Sequence, residues 1–164
     1  MKKIIYLLAF VSMHGAVFSQ QKLRDGIYLV DRSEYNRTAS PSDKAVIQYN
    51  PFFVEEAPEV YNPIVIFTDE FVPFELEDMP VIQYRKGQDN LLLVHLTKRA
   101  SEKLKTFTTK NLRNHIVVVV NGEALAIYKV IQPVTSVFIK VTGCSGTGCE
   151  QVYIRLLKSI PKLA

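Results

Sequence analysis

The stretch LLLVHLTKRASEKLKTFTTKNLRNHIVVVVNGEALAIYKVIQPVTSVFIKVTG, residues 91–143, decides the fold. It opens with an apolar run of strand length, and Thr97 then stands where the N-cap of a helix is expected. Apolar side chains next recur at helical spacing, with Lys and Glu on the opposite face. The run His115–Val120 is rich in β-branched residues and is typical of a buried strand. The first half of the stretch therefore predicts a strand, a helix and a second strand.

A tight hairpin is predicted directly after this second strand. Asn121-Gly122 is a strong short-range signal for a type I′ turn, because both central residues of that turn need a positive φ. Glu123–Val130 then reads as the return strand. Asn121 and Gly122 are accordingly predicted to be structural turn residues.

The chain closes with one more strand and one more helix. Pro133 interrupts the pattern, and Thr135–Thr142 then alternates, with valines and isoleucine on one face and Ser136, Phe138 and Lys140 on the other. An amphipathic helix is predicted from Glu150 to about Ile160. The order β-α-β-β-β-α predicts an α+β fold, with a mostly antiparallel sheet and two helices on one face.

Residues 20–90 are predicted to add short strands and loops to the same domain as residues 91–164. The segment Phe52–Asn62 reads as irregular, and the acidic and aromatic segment Asp69–Met79 has room for a short helical turn before Pro80. The predicted strands of this region are Gly26–Asp31, Ala45–Tyr49, Pro63–Phe67 and Val81–Tyr84.

Residues 1–19 have the features of a secretory signal peptide. Lys2 and Lys3 precede an apolar stretch, and Val17 and Ser19 fit the small-residue cleavage site that would leave Gln20 as the first residue. The alternative, a membrane anchor, needs about 20 uninterrupted apolar residues, and this run is about half as long. We therefore expect an exported protein, periplasmic or secreted, without a transmembrane segment after cleavage.

Length and charge restrict the classes of partner. Removal of 19 of the 164 residues leaves about 145, which is typical of one domain. The formal net charge of +4 includes Lys2 and Lys3, so the remaining chain is close to neutral. Binding of nucleic acid is therefore not expected.

The two cysteines, Cys144 and Cys149, stand close together in the segment CSGTGC. In an oxidising compartment such a pair is predicted to form a disulfide. So small a loop removes little entropy from the unfolded chain, about 2 kcal/mol, and would mainly hold a local turn. A redox-active pair is less expected, because catalytic thiols favour a spacing of two residues.

Residues suited to catalysis are sparse. His95 and His115 both lie on predicted strands among apolar neighbours, and no third metal ligand stands at an obvious spacing. No nucleophile elbow, phosphate-binding glycine loop or zinc-protease helix motif occurs. The sequence thus predicts a protein that is not an enzyme, with no catalytic residue, metal or cofactor.

Acidic loops leave one enzymatic alternative open. A solvated acidic face is the simpler interpretation, but two carboxylates could also perform glycosidase-type chemistry. The residues concerned are Glu55, Glu56, Glu59, Asp69, Glu70, Glu75, Glu77 and Asp78. A small envelope enzyme, and a structural or inhibitory protein that shares only the fold, are therefore the alternative functions.

Aromatic residues crowd the first half of the chain in loop-like sequence. Exposed aromatic side chains mark partner sites, so Phe52, Phe53, Phe71 and Phe74 are candidates for binding a protein or peptide. The alternative is that these side chains fill a core built from short strands. A sheet edge is a second means of binding, because it can accept an extended polypeptide as an added strand.

Residues from Leu91 to about Leu157 resemble the head subdomain of the first periplasmic domain of SecDF-type protein-export membrane proteins. The resemblance lies in an ordered set of elements: Phe107, the segment TTKN (Thr108–Asn111), the Asn121-Gly122 turn, Gln132-Pro133 and Val141-Thr142-Gly143. It implies the fold and an accessory role in the cell envelope, binding an unknown protein or peptide partner.

Several departures limit what this resemblance implies. The family has a glycine-rich segment where this chain has Thr135-Ser136, and it lacks cysteines at the positions of Cys144 and Cys149. SecDF proteins also have several transmembrane helices and use the proton gradient, whereas none is predicted here after the signal peptide. The resemblance therefore implies a free-standing relative of the head without the proton-driven part.

Overall fold

Eight strands and two helices form the described part of the chain. The computed structural model describes residues 23–32, 43–48, 63–144 and 147–159, so the predicted signal peptide lies outside it. The elements are β1 (Gly26–Val30), β2 (Lys44–Ile47), β3 (Ile64–Pro73), β4 (Val81–Gln83), β5 (Asn90–His95), α1 (Lys98–Lys110), β6 (His115–Val120), β7 (Glu123–Lys129), β8 (Phe138–Cys144) and α2 (Gly148–Ser159). From β5 onward the order is β-α-β-β-β-α, which confirms the predicted α+β class.

The described strands form two sheets, and every pairing in them is antiparallel. The larger sheet has the order β2-β3-β1-β6-β7, and the smaller one has the order β4-β5-β8. Strands β7 and β8 are therefore edge strands of two different sheets, although they are neighbours in the sequence.

Gly26 lets β1 and β3 approach closely at the start of the central strand. It is aligned with Pro73 on β3 and with Val119 on β6. A Cβ atom at this position would lie 2.5 Å from the carbonyl oxygen of Val72, so any other residue would push the strands apart.

β3 is longer than the sequence predicts. The sequence predicts a strand that ends at Phe67, whereas β3 continues into the acidic and aromatic segment as far as Pro73. The added length pairs with β1, because Val72 and Phe71 align with Ile27 and Tyr28. Partner strands supply this stabilisation, and charged residues have low intrinsic strand preference, so local sequence did not indicate it.

The main core lies between the two sheets and the two helices. It takes Ile27 and Val118 from the larger sheet and Leu92 and Val94 from the smaller one. Helix α1 contributes Ala100 and Leu104, and helix α2 contributes Cys149, Val152 and Leu156. Both helices thus cover the same face of the larger sheet, as predicted.

A second core lies on the other face of the larger sheet. It contains the buried side chains Tyr28, Val30, Ile47, Ile64, Ile66, Val117, Val119 and Ala124. The sheet curls around this face, because the N–H of Ala124 on edge strand β7 donates to the carbonyl oxygen of Gln48, just after edge strand β2, at 3.1 Å. Curling lets the sheet enclose apolar side chains on a face over which neither of the two described helices packs.

Helix α1 begins and ends where its sequence signals indicate. The hydroxyl oxygen of Thr97 accepts a hydrogen bond from the N–H of Ala100, which is an N-cap interaction. At the other end, the side-chain amide of buried Asn111 donates to the carbonyl oxygen of Phe107 at 3.0 Å.

None of the helices in the described residues combines the length and the apolar character needed to cross a bilayer.

Candidate functional site

A cavity of about 340 Å³ opens between the edges of β7 and β8. We call it the β7–β8 groove. Its lining is mostly apolar and consists of Ile27, Leu104, Ile116, Val118, Tyr128, Lys129, Val130, Ile131, Gln132, Val134, Phe138, Ile139 and Lys140. The volume is within the range of ordinary ligand pockets.

The groove exists because two sheet edges face each other. β7 ends the larger sheet and β8 ends the smaller one, so no ladder of hydrogen bonds joins them. The hydroxyl of Tyr128 spans the gap and donates to the carbonyl oxygen of Val141 at 3.5 Å. A long hydrogen bond of this kind keeps the strands near each other without closing the space between them.

The connection between β7 and β8 is fixed over the groove by Thr108 of α1. The Thr108 hydroxyl accepts from the N–H of Val134 at 2.9 Å and donates to the carbonyl oxygen of Leu104 at 2.8 Å. Thr108 is completely buried and Val134 is half-buried, so this hydrogen bond is partly shielded from water. The same connection places Ile131 at the mouth of the groove, where it is 81% exposed.

Phe138 forms the second apolar part of the mouth. It is 56% exposed, yet its ring is held by stacking on His95, with centroids 4.3 Å apart and planes 14° apart. The Nδ1 atom of His95 in turn lies 2.7 Å from a carboxylate oxygen of Asp78. Phe138 is thus an exposed aromatic side chain whose ring orientation is fixed by its stacking on His95.

The charged groups that line the groove are cationic. Lys129 and Lys140 lie along it, and no Asp or Glu is among its lining residues in the described part of the chain. His115, which is aligned with Lys129 across the strand pair, has a lowered pKa. Burial is the main cause, and the charges of Arg32 and Lys129 add to it.

Of the aromatic residues predicted to bind a partner, Phe71 and Phe74 lie in the described part. Phe71 stacks on Tyr28 with centroids 4.7 Å apart, and the guanidinium of Arg24 lies 5.8 Å from its ring centroid. Phe74 packs against the main core. Phe52 and Phe53 fall outside the described residues, and a binding role for all four stays a prediction.

Tyr28, the buried member of the Tyr28–Phe71 pair, has a raised pKa. Burial raises the pKa of the Tyr28 hydroxyl to about 12, although this group also donates to the carbonyl oxygen of Arg24 at 2.7 Å. The pair therefore acts as a packing contact between β1 and β3.

Two of the acidic residues that the sequence offers for catalysis, Glu70 and Glu75, face cations near the surface. Glu75 lies 3.8 Å from Arg99 and 3.4 Å from Lys103, and Glu70 lies 3.3 Å from Lys110. No group of three or more potential metal ligands occurs among the described residues. His95 contacts the carboxylate of Asp78 at the surface. His115 lies on β6, in a different sheet from His95 on β5, so the two histidines are not paired across neighbouring strands.

The predicted turn and cysteine residues occupy defined places. Asn121 has φ 53° and Gly122 has φ 79°, the positive values that a type I′ turn requires, and the N–H of Asn121 donates to Asp25 at 2.6 Å. Cys149 is completely buried in α2, whereas Cys144 ends β8 with a side chain outside the description. Their disulfide stays a prediction.

Sequence reasoning missed Ile131 and Phe138 as site residues. A signal was present, because the alternation of Thr135–Thr142 places Phe138 on the polar face of its strand, beside Ser136 and Lys140. An exposed aromatic residue is a candidate contact for a partner where it adjoins an apolar cavity. For Ile131, which follows the end of β7, no such pattern exists.

A second concavity is larger but less suited to an apolar partner. Its volume is about 510 Å³, and its lining includes Arg24, Asp25, Arg155 and Lys158. Arg155 is already paired there, with its guanidinium 2.6 Å from a carboxylate oxygen of Glu123. We regard the β7–β8 groove as the better candidate, because Ile131 and Phe138 at its mouth are strongly exposed, whereas no large apolar residue among the described lining of the second concavity is.

No protein-family model matches this chain, and no curated protein matches it by sequence. Two solved structures are similar in shape, one of SecDF in a super-membrane-facing form and one of SecDF described as a membrane component that enhances protein export. Each match has 18% identity and a TM-score of 0.45 over 55% of this chain. The match spans 12% of the first chain and 40% of the second, so this chain covers far less than two thirds of either.

Proposed function

We propose that this protein is a non-enzymatic, exported binding module of the cell envelope that takes protein or peptide partners into the β7–β8 groove. One observation carries the proposal: an apolar cavity whose mouth bears two strongly exposed apolar residues, Ile131 and Phe138. Exposed apolar anchors beside a pocket are typical of partner sites.

A polypeptide suits this groove better than a compact ligand does. The groove is open along two strands, and its long sides are strand edges, which pair with extended chains. Phe138 and Ile131 lie at its mouth, where they would contact side chains that enter the cavity. An accessory role in protein export is part of the proposal and follows from the sequence resemblance of Leu91–Leu157 to the SecDF head.

Binding of a fluorescently labelled, chemically unfolded polypeptide tests this function. We expect Phe138→Ser and Ile131→Ser each to weaken binding about tenfold, as loss of an anchor worth about 1.4 kcal/mol would. The matched control is Leu112→Ser, because Leu112 is a 44% exposed apolar residue that does not line the groove. If all three variants bind as the unchanged protein does, the groove is not the binding site.

A further inference from the structure

We infer that the partner binds as an added β-strand along the outer edge of β7, and that its preferred sequence alternates apolar and acidic side chains. This inference rests on the proposed function and specifies how the groove performs it.

Among the described residues, two residues of β7 have backbone groups without a partner on its outer edge. The N–H of Val130 donates to Asn114, and its carbonyl oxygen accepts from Arg113, at 2.9 and 2.8 Å, so the backbone groups of Val130 point toward β6. Neighbouring residues of a strand direct these groups to opposite edges, so Ile127 and Lys129 direct theirs away from β6. Within the described residues no backbone or side-chain group bonds to them there.

The free part of this edge is short and has a defined beginning. The N–H of Ala124 is already bonded to Gln48, and the pairing of β6 with β7 is irregular between Val118 and Val119. An added strand would therefore pair with Ile127 and Lys129 and extend toward Ile131. A short free edge next to a bulge limits uncontrolled pairing with other chains.

The side chains of an added strand would reach the cavity. Tyr128 and Val130 project to the face of β7 that belongs to the main core, and both line the groove. Side chains on a sheet alternate between its two faces. Every second side chain of the partner would thus lie over the cavity, next to Val134 and Ile139, and apolar side chains fit this position.

The charge of the groove determines which residues are preferred at the partner positions whose side chains do not enter the cavity. Lys129 is the last residue of β7 and lines the groove, whose described lining residues include no Asp or Glu. Acidic side chains on the partner, between its apolar ones, would complement this cation. Exposed charges are screened by salt, so this part of the affinity is expected to fall as ionic strength rises.

Alternate N-methylation of a peptide tests the backbone pairing without altering the protein. The probe is a short capped peptide in which Glu alternates with Val around a central Leu. Methyl groups on one alternate set of amides would block pairing with Ile127 and Lys129, whereas the other set would face away. We expect at least tenfold weaker binding for one methylated peptide and near-unchanged binding for the other. Equal affinity of both would overturn the inference.

Three substitutions at Lys129 separate the backbone from the charge. Lys129→Pro removes the outward N–H and the cation, Lys129→Ala removes only the cation, and Lys129→Glu reverses the charge. A proline whose missing N–H faces outward is tolerated on an edge strand. We expect the Pro variant to bind the peptide several-fold more weakly than the Ala variant. We also expect the Glu variant to bind more weakly than Ala at low salt and equally at high salt.

Failure of the inference can be told apart from failure of the proposed function. If the unfolded polypeptide binds with dependence on Phe138 but methylation has no effect, the function stands and strand addition is wrong. If neither polypeptide nor peptide binds, the function fails as well. Two other occupants would also overturn the inference: a dimer of this chain that the peptide does not dissociate, and a free fatty acid, probed as decanoate, that binds where no peptide does. If Lys129→Pro does not fold, the methylated peptides decide alone.

Discussion

His115 makes the stability of the fold depend on pH. Its pKa is lowered in the folded protein, first by burial and then by Arg32 and Lys129. Near the ordinary pKa of 6.5 the folded state therefore binds fewer protons than the unfolded state does. The contribution of His115 to stability is complete above pH 6.5 and is lost as pH falls from 6.5 through the lowered pKa.

Replacing His115 removes this dependence. We expect His115→Gln to reduce the loss of unfolding free energy between about pH 7 and pH 5, because the neutral side chain no longer gains a proton on unfolding. Urea denaturation at a series of pH values measures the effect. Parallel pH profiles for the variant and the unchanged protein would refute the assignment.

A hydrogen bond from the N–H of Val134 to the hydroxyl of Thr108 joins the wall of the groove to α1. Thr108→Val keeps the shape but leaves this half-buried N–H without its acceptor, which is expected to cost about 1 kcal/mol of unfolding free energy. Thr108→Ser keeps the hydroxyl and is the matched control. Equal denaturation midpoints for the Val variant and the unchanged protein would show that this hydrogen bond does not support the connection.

The β6–β7 hairpin depends on its turn. Gly122 has φ 79°, where a β-branched residue is strained, so Gly122→Val is expected to lower the unfolding free energy by about 1–2 kcal/mol. Asn tolerates this conformation, and Gly122→Asn should therefore lose much less. A Val variant as stable as the Asn variant would mean that the turn adopts another geometry in solution.

The junction between β8 and α2 is predicted to be closed by the Cys144–Cys149 disulfide. Thiol labelling of the unfolded protein without reductant is expected to modify neither cysteine, and labelling after reduction should modify both. Modification of Cys144 before reduction would exclude the disulfide.

At the scale of elements, the sequence predicted the order of the helices and strands along the chain well, but it did not predict which strands pair with each other. Periodicity placed both helices, because each buries one face and the period reports that face directly. The apolar run of β5, the β-branched run of β6 and the Asn121-Gly122 turn placed β5 and the β6–β7 hairpin. It could not report that β7 and β8 belong to different sheets, since the strand to which an edge pairs is not encoded locally. β3 extends through Asp69–Pro73 for the same reason, because β1 stabilises it from a distance.

At the scale of the whole molecule, the groove is a product of topology. Its lining comes from β1, β6, β7, β8, α1 and the connection after β7, and no continuous segment contains its pattern. Phe138 could be suspected from its place on a polar strand face, whereas Ile131 became recognisable only once the two sheet edges were seen to face each other.

Amide hydrogen exchange at β7 tests strand addition in this groove most directly. In the free protein the N–H groups of Ile127 and Lys129 are expected to exchange quickly, whereas Tyr128 and Val130, which bond toward β6, exchange slowly and serve as internal references. Saturation with the alternating Glu and Val peptide is predicted to slow exchange at Ile127 and Lys129 at least tenfold. Unchanged exchange at both residues, with the peptide demonstrably bound, would contradict it.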